Sequence, residues 1–92
     1  MRRIEHWIGG KPTAGTSGRT APGQDPATGR QQAEVALASA EEVDLAVAAA
    51  AEAFAGWRDT PLSRRTDVFF RFRHLLEEHA AELGALITSD LG

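Results

Sequence analysis

Ala33-Glu34-Val35-Ala36-Leu37-Ala38-Ser39-Ala40-Glu41-Glu42-Val43-Asp44 changes period in mid-course. Ala33, Val35 and Leu37 alternate with Gln32, Glu34 and Ala36, which is the period of two of a half-buried strand. Ser39 then opens a helix: its hydroxyl can accept the amide three residues on, and Glu42 can reach back to the Ser39 amide. Glu41, Glu42 and Asp44 sit at the positive end of the helix dipole. Strands therefore lie before this junction and helices after it. The expected fold class is an α+β unit, with strands and a Gly/Pro-rich loop in residues 1–37 and two helices in residues 38–92, together one incomplete domain.

Upstream, Ile4, His6 and Ile8 project to one side of an extended segment and Glu5 and Trp7 to the other. Gly9-Gly10 supplies the positive φ angles of a two-residue hairpin turn. From Pro12 to Gly29 neither period fits, since Gly15, Gly18 and Gly23 alternate with Pro22 and Pro26, and the stretch reads as loop. Inside it, Asp25-Pro26-Ala27-Thr28-Gly29 has turn chemistry, with Asp bonding its own backbone, Pro fixing φ and Gly taking a left-handed position.

Downstream, the first helix carries the stripe Val43, Val47, Ala50 and Phe54, and Gly56 is the expected stop. Alanines at 46, 48, 49, 51 and 53 leave its other faces shallow. Thr60-Pro61 predicts the second helix, Thr as N-cap and Pro at the first helical position. Its stripe of Val68, Phe72, Leu75, Leu76, His79, Leu83, Leu86 and Ile87 runs unbroken almost to Gly92. Phe69 and Phe70 lie off that stripe by about one and two hundred degrees, which points to a partner surface beyond two strands and two helices.

Composition narrows the function. The apolar fraction of 42% with 25% charged residues belongs to the soluble globular class. A chain of 92 residues buries only about 60–65% of its unfolded surface, so its core is thin. Residues 1–37 carry five basic and three acidic side chains and residues 38–92 five and ten; neither half is a nucleic-acid footprint. Nothing approaches a signal peptide or the ~20 apolar residues of a membrane span, and a cytoplasmic protein is expected. There is no cysteine, hence no disulfide, thiolate metal site or thiol nucleophile.

Three constellations could carry chemistry, and each is better explained otherwise. Gly18-Arg19-Thr20-Ala21-Pro22-Gly23 has the glycine separation of a phosphate loop. Gln24-Asp25 stands next, where Lys and Ser/Thr are required, and no helix start succeeds it. His74, Glu77, Glu78, His79 and Glu82 cluster. However, His74 and His79 stand about 140° apart on a helix, whereas a zinc helix needs i and i+4, so no metal is expected and His74 with Glu78 reads as a surface pair. Arg64, Arg65, Arg71 and Arg73 interleave with Phe69, Phe70 and Phe72. Asp67, three residues from Arg64 and four from Arg71, makes local ion pairing the reading there. The expected catalytic, cofactor-binding and metal-binding residues of the chain are thus none.

The residues nonetheless have a family look. His6-Trp7-Ile8-Gly9-Gly10-Lys11-Pro12 resembles the opening strand and turn of aldehyde dehydrogenases, and Gly15-Thr16-Ser17-Gly18-Arg19-Thr20 is similar to the next stretch of the methylmalonate-semialdehyde branch. Asp25-Pro26-Ala27-Thr28-Gly29 resembles the family's Asn-Pro-Ala-Thr-Gly turn with Asp in the first place. Ala33 to Ser39, the helix ending Phe54-Ala55-Gly56-Trp57, and Arg64-Arg65 leading into Phe72-Arg73-His74-Leu75-Leu76 continue the likeness over essentially the whole chain.

The resemblance implies a part of the α/β aldehyde dehydrogenase fold, with residues 38–92 covering the cofactor-binding domain. It implies a complete protein about five times as long that oxidises a semialdehyde with NAD and transfers the acyl group to coenzyme A. Its thiol, general base and NAD contacts would lie beyond Gly92, and the ending Ser89-Asp90-Leu91-Gly92 reads as a cut through a longer chain. The expected role is structural, inactive alone. The rival expectation is a small interaction module that binds dehydrogenase subunits or itself through Phe69, Phe70 and the helix stripes.

Overall fold

The computed structural model describes residues 2–92; Met1, at the head of the 1–37 segment, lies outside them. Five short strands precede three helices: β1 (Arg2–Ile4), β2 (His6–Ile8), β3 (Lys11–Thr13), β4 (Thr20–Gln24), β5 (Gln31–Ala36), α1 (Ala40–Arg58), α2 (Leu62–Glu78) and α3 (Ala80–Leu91). β2 and β3 pair antiparallel as a hairpin, Ile8 opposite Lys11. Gly9 and Gly10 turn the chain between them at φ 64° and 79°, angles that a side chain at Cβ disfavours. A separate sheet has the order β1-β5-β4, with β1 parallel and β4 antiparallel to β5.

The Asp25–Gly29 turn joins β4 to β5 as expected. Asp25 Oδ1 accepts the Ala27 amide at 2.9 Å, the Asp25 carbonyl accepts the Gly29 amide at 2.7 Å, and Gly29 stands at φ 74°. The strand β4 was not legible in the Pro12–Gly29 stretch and corrects the loop reading there, as does β3. β4 lies at a sheet edge, the position where Pro22 is tolerated, and Gly23 lets β5 approach closely: a Cβ there would stand 3.1 Å from Ala33 Cβ.

Ser39 caps α1 through the full reciprocal box: its Oγ accepts the Glu42 amide at 3.2 Å and Glu42 Oε1 accepts the Ser39 amide at 3.1 Å. Two expected helix ends are corrected. α1 runs past Gly56 to Arg58, because Gly56 keeps a negative φ and Thr60 Oγ1 donates to the Gly56 carbonyl at 2.8 Å, satisfying it from beyond the helix. Thr60 therefore serves the end of α1, while Pro61 occupies the N-cap of α2 with no side-chain cap.

The expected two helices are three. The second breaks at His79 (φ −104°, ψ 19°) and resumes at Ala80. No Pro or Gly marks that point. Beyond the break α3 reaches β5, where Ser89 Oγ donates to Gln32 Oε1 at 3.0 Å and Gln32 Nε2 donates to the Ser89 carbonyl at 3.1 Å.

The core is small. Among the described residues the buried apolar side chains are Ala33 and Ala36, both on β5, so the expected Ala33, Val35, Leu37 alternation holds only at its first member. The chain measures 47 × 35 × 15 Å with a radius of gyration of 16.8 Å, against about 12 Å for a compact chain of this length. Its 7399 Å² of accessible surface exceeds the roughly 5,200 Å² of a compact monomer this size. No helix among the described residues is long and apolar enough to cross a membrane.

Candidate docking face

Two features stand out from this open architecture: one densely bonded polar junction and the exposed apolar side chains along the helices. The junction lies where β5 gives way to α1. Glu42 is 6% exposed, and its Oε1 accepts the amides of Ser39 and of Thr16, the latter at 3.3 Å from the loop after the hairpin. Its Oε2 stands 3.3 Å from Nε2 of His6 on β2, a contact of charge type without hydrogen-bond alignment. The Ser39 amide holds the Glu42 carboxyl below its ordinary 4.5, against burial, which pushes it up; Thr16 and His6 add to the lowering.

Around it, Ser17 Oγ donates to the Leu37 carbonyl at 2.6 Å, Arg19 Nη2 donates to the Ala38 carbonyl at 2.9 Å, and the Leu37 amide donates to the Arg19 carbonyl. The capping box announced Glu42 and Ser39 in the sequence. The third partner, Thr16, and the fourth, His6, are 26 and 36 residues away along the chain, and nothing in the local pattern signals them.

The apolar face runs along the helices. Phe69 and Phe70 are 64% and 62% exposed, and Val68, Phe72, Leu75, Leu76, Leu86 and Ile87 of the expected stripe are exposed with them. On α1 the stripe residues Val43, Val47 and Phe54 are bare as well, Phe54 carrying the Arg58 guanidinium 5.6 Å from its ring centre. Shallow grooves cross α2, lined by Arg64, Asp67, Phe70 and Arg71 and by Phe70, His74 and Leu75. Such a run of rings exceeds the scattered apolar exposure of an ordinary monomer.

The other candidates from the sequence resolve individually. His74 lies 3.7 Å from Glu78, as expected, while His79 Nδ1 lies 3.1 Å from Glu82; the two histidines serve different carboxylates. No group of three or more His, Asp or Glu able to hold a metal occurs among the described residues. The ion pairing expected of Asp67 with Arg64 or Arg71 does not form; the arginine pairs among the described residues are Arg58 with Asp59 and Arg73 with Glu77. Arg65 Nε is buried without a partner among them. The Gly18 to Gly23 stretch leads into β4, where Gly23 pairs with Ala33, and at the start of α1 the Glu42 amide is engaged by Ser39 Oγ.

The sequence pattern described as the aldehyde dehydrogenase family matches residues 13–92. The chain is 46% identical to malonate-semialdehyde dehydrogenase 3 of Geobacillus kaustophilus over 99% of its own length and 45% identical to malonate-semialdehyde dehydrogenase 2 of Geobacillus thermodenitrificans. It superposes with a TM-score of 0.92 on the crystal structure of methylmalonate-semialdehyde dehydrogenase from Oceanimonas doudoroffii, at 40% identity, covering 100% of this chain and 19% of that one. A methylmalonate-semialdehyde dehydrogenase structure from Sinorhizobium meliloti, complexed with NAD, gives a TM-score of 0.91 at 40% identity, covering 97% and 18%. The chain spans about one fifth of the length of the curated relatives it matches, 19% of each of these two.

Proposed function

The chain belongs to the aldehyde dehydrogenase family, and from that premise we propose that it is the N-terminal structural segment of an NAD-dependent semialdehyde dehydrogenase, catalytically inactive alone. Its β sheet and helices form one flank of the subunit, and the rest of the subunit covers the face of Phe69, Phe70 and the helix stripes. In the complete enzyme a malonate- or methylmalonate-type semialdehyde is oxidised with NAD, the acyl group passing to coenzyme A, in the cytoplasm. By family resemblance the oxidation runs through a thiol, and the 92 residues contain no cysteine. NAD and coenzyme A are held by other parts of the enzyme.

The observation that carries this reading is close superposition on 18–19% of solved dehydrogenase subunits by a chain whose own apolar faces are bare. Circular dichroism and sedimentation of the 92-residue chain, with an NAD titration, test it. Weakly cooperative unfolding without NAD binding supports it, because a core of two alanines cannot hold three helices. Cooperative folding together with saturable NAD binding overturns it. A second reading, a module that associates with dehydrogenase subunits or with itself, rests on the same exposed Phe69 and Phe70. An oligomer of fixed stoichiometry, lost on Phe70→Glu, would favour it.

A further inference from the structure

The β2–β3 hairpin has a weak hold on the rest of the molecule. It forms a sheet of its own, and among the described residues no backbone hydrogen bond joins it to β1, β4, β5 or α1. An isolated two-stranded ribbon is marginal in water. Trp7, at its centre, is 71% exposed, and Trp7 and Ile8 share open grooves with Ala46, Ala49 and Ala50 of α1 and do not pack into a core. Among the described residues the polar ties of residues 6–16 to α1 end on one group, and the next residue, Ser17, is bonded to the Leu37 carbonyl beyond the flap. His6 of β2 faces Glu42 Oε2 at 3.3 Å, and Thr16, just past β3, donates its amide to Glu42 Oε1. Gly15 packs between them: a Cβ there would lie 3.3 Å from His6 Nε2 and 3.1 Å from Ala36 Cβ.

We propose that the hairpin is a flap hinged at Glu5 and Ala14, and that the Glu42 carboxylate is the catch that holds it against the alanine face of α1. Glu42 can do this because its carboxylate is held from the helix side by the backbone amide of Ser39, independently of the flap and of the Ser39 hydroxyl. The carboxylate thus has two separable duties, capping α1 and fastening the hairpin. Opening the catch frees residues 6–13 and uncovers the half-buried Ala46 and Ala49 while β4–β5 and α1 stay in place. The role is one of positioning.

Amide hydrogen exchange followed by NMR tests the catch on the 92-residue chain, at a temperature and salt where the β4–β5 amides are protected and the sheet is therefore folded. In the unsubstituted chain the Thr16 amide is protected. Glu42→Ala raises exchange of Thr16 and of the hairpin amides by about tenfold or more, the scale of a lost hydrogen bond to a charged group, and leaves β4–β5 unchanged. His6→Gln loosens the hairpin alone and serves as the deciding variant if Glu42→Ala also melts the sheet; in the Glu42→Ala background it adds nothing. Ser39→Ala, which removes the cap on the Glu42 amide, frays the start of α1 and spares the hairpin. An unprotected Thr16 amide at neutral pH overturns the proposal. So does a hairpin indifferent to His6→Gln, additive loss in the double variant, or equal loosening by Ser39→Ala.

Discussion

Phe70→Ala separates a ring that supports this chain from a ring that waits for another surface. Phe70 is 62% exposed, so more than half of its side-chain area is still open to water. A phenylalanine buries at least about 150 Å² when fully covered, and covering the open part is worth about 2–3 kcal/mol at ~25 cal/mol per Å². In the 92-residue chain alone that ring contributes little, and Phe70→Ala should move the urea profile of the helical signal by less than about 0.5 kcal/mol. Binding to the remainder of a subunit is a different matter. Titrated against the Geobacillus kaustophilus relative deprived of its matching segment, the variant should bind about 30- to 150-fold more weakly, since each 1.4 kcal/mol is a factor of ten. Calorimetry or fluorescence anisotropy reads this directly. Equal affinity of the two forms, or a free chain destabilised by about 2 kcal/mol, would refute the reasoning.

Other substitutions and conditions give checks of their own. Gly84→Ala in α3, where an added Cβ meets nothing within 4 Å, should stabilise the helix by about 0.5–1 kcal/mol, seen as a stronger helical circular dichroism signal. Gly29→Ala forces a side chain onto φ 74° and should cost about 1 kcal/mol or more, detected as lost exchange protection across β4–β5. Because the folded carboxyl of Glu42 lies below its ordinary 4.5, its contribution is fully present above that value and disappears as the pH falls through the lower folded value. Acid should therefore loosen the hairpin below about pH 4.5, and Glu42→Gln should flatten that limb in a pH series followed by hairpin exchange.

Local chemistry was readable wherever a motif closes on itself. The Ser39–Glu42 box, the Gly9-Gly10 turn and the Asp25–Gly29 turn each satisfy their own backbone within a short stretch, and each stands where the sequence predicts. Phe69 and Phe70 were also legible, since two rings off a continuous stripe have nowhere to go in a unit of this size. What escaped depends on distant partners. β4 carries Gly and Pro at positions acceptable only because β5 flanks one side of it, and no local Pro or Gly announces the break at His79 or the bond of Ser89 to Gln32 beyond it. Glu42 announced its cap, but its links to Thr16 and His6 exist only after the hairpin folds back over α1.

The central claim is that this chain is a structural flank completed by the rest of a semialdehyde dehydrogenase. Its most direct test mixes the 92-residue chain with the Geobacillus kaustophilus malonate-semialdehyde dehydrogenase lacking the matching segment and monitors NADH formation from malonate semialdehyde in the presence of coenzyme A. The chain alone should give no activity and the combination a saturable gain, with the pair co-eluting on gel filtration. NADH formation by the 92-residue chain alone, or no association with the deprived relative at any concentration, would contradict it.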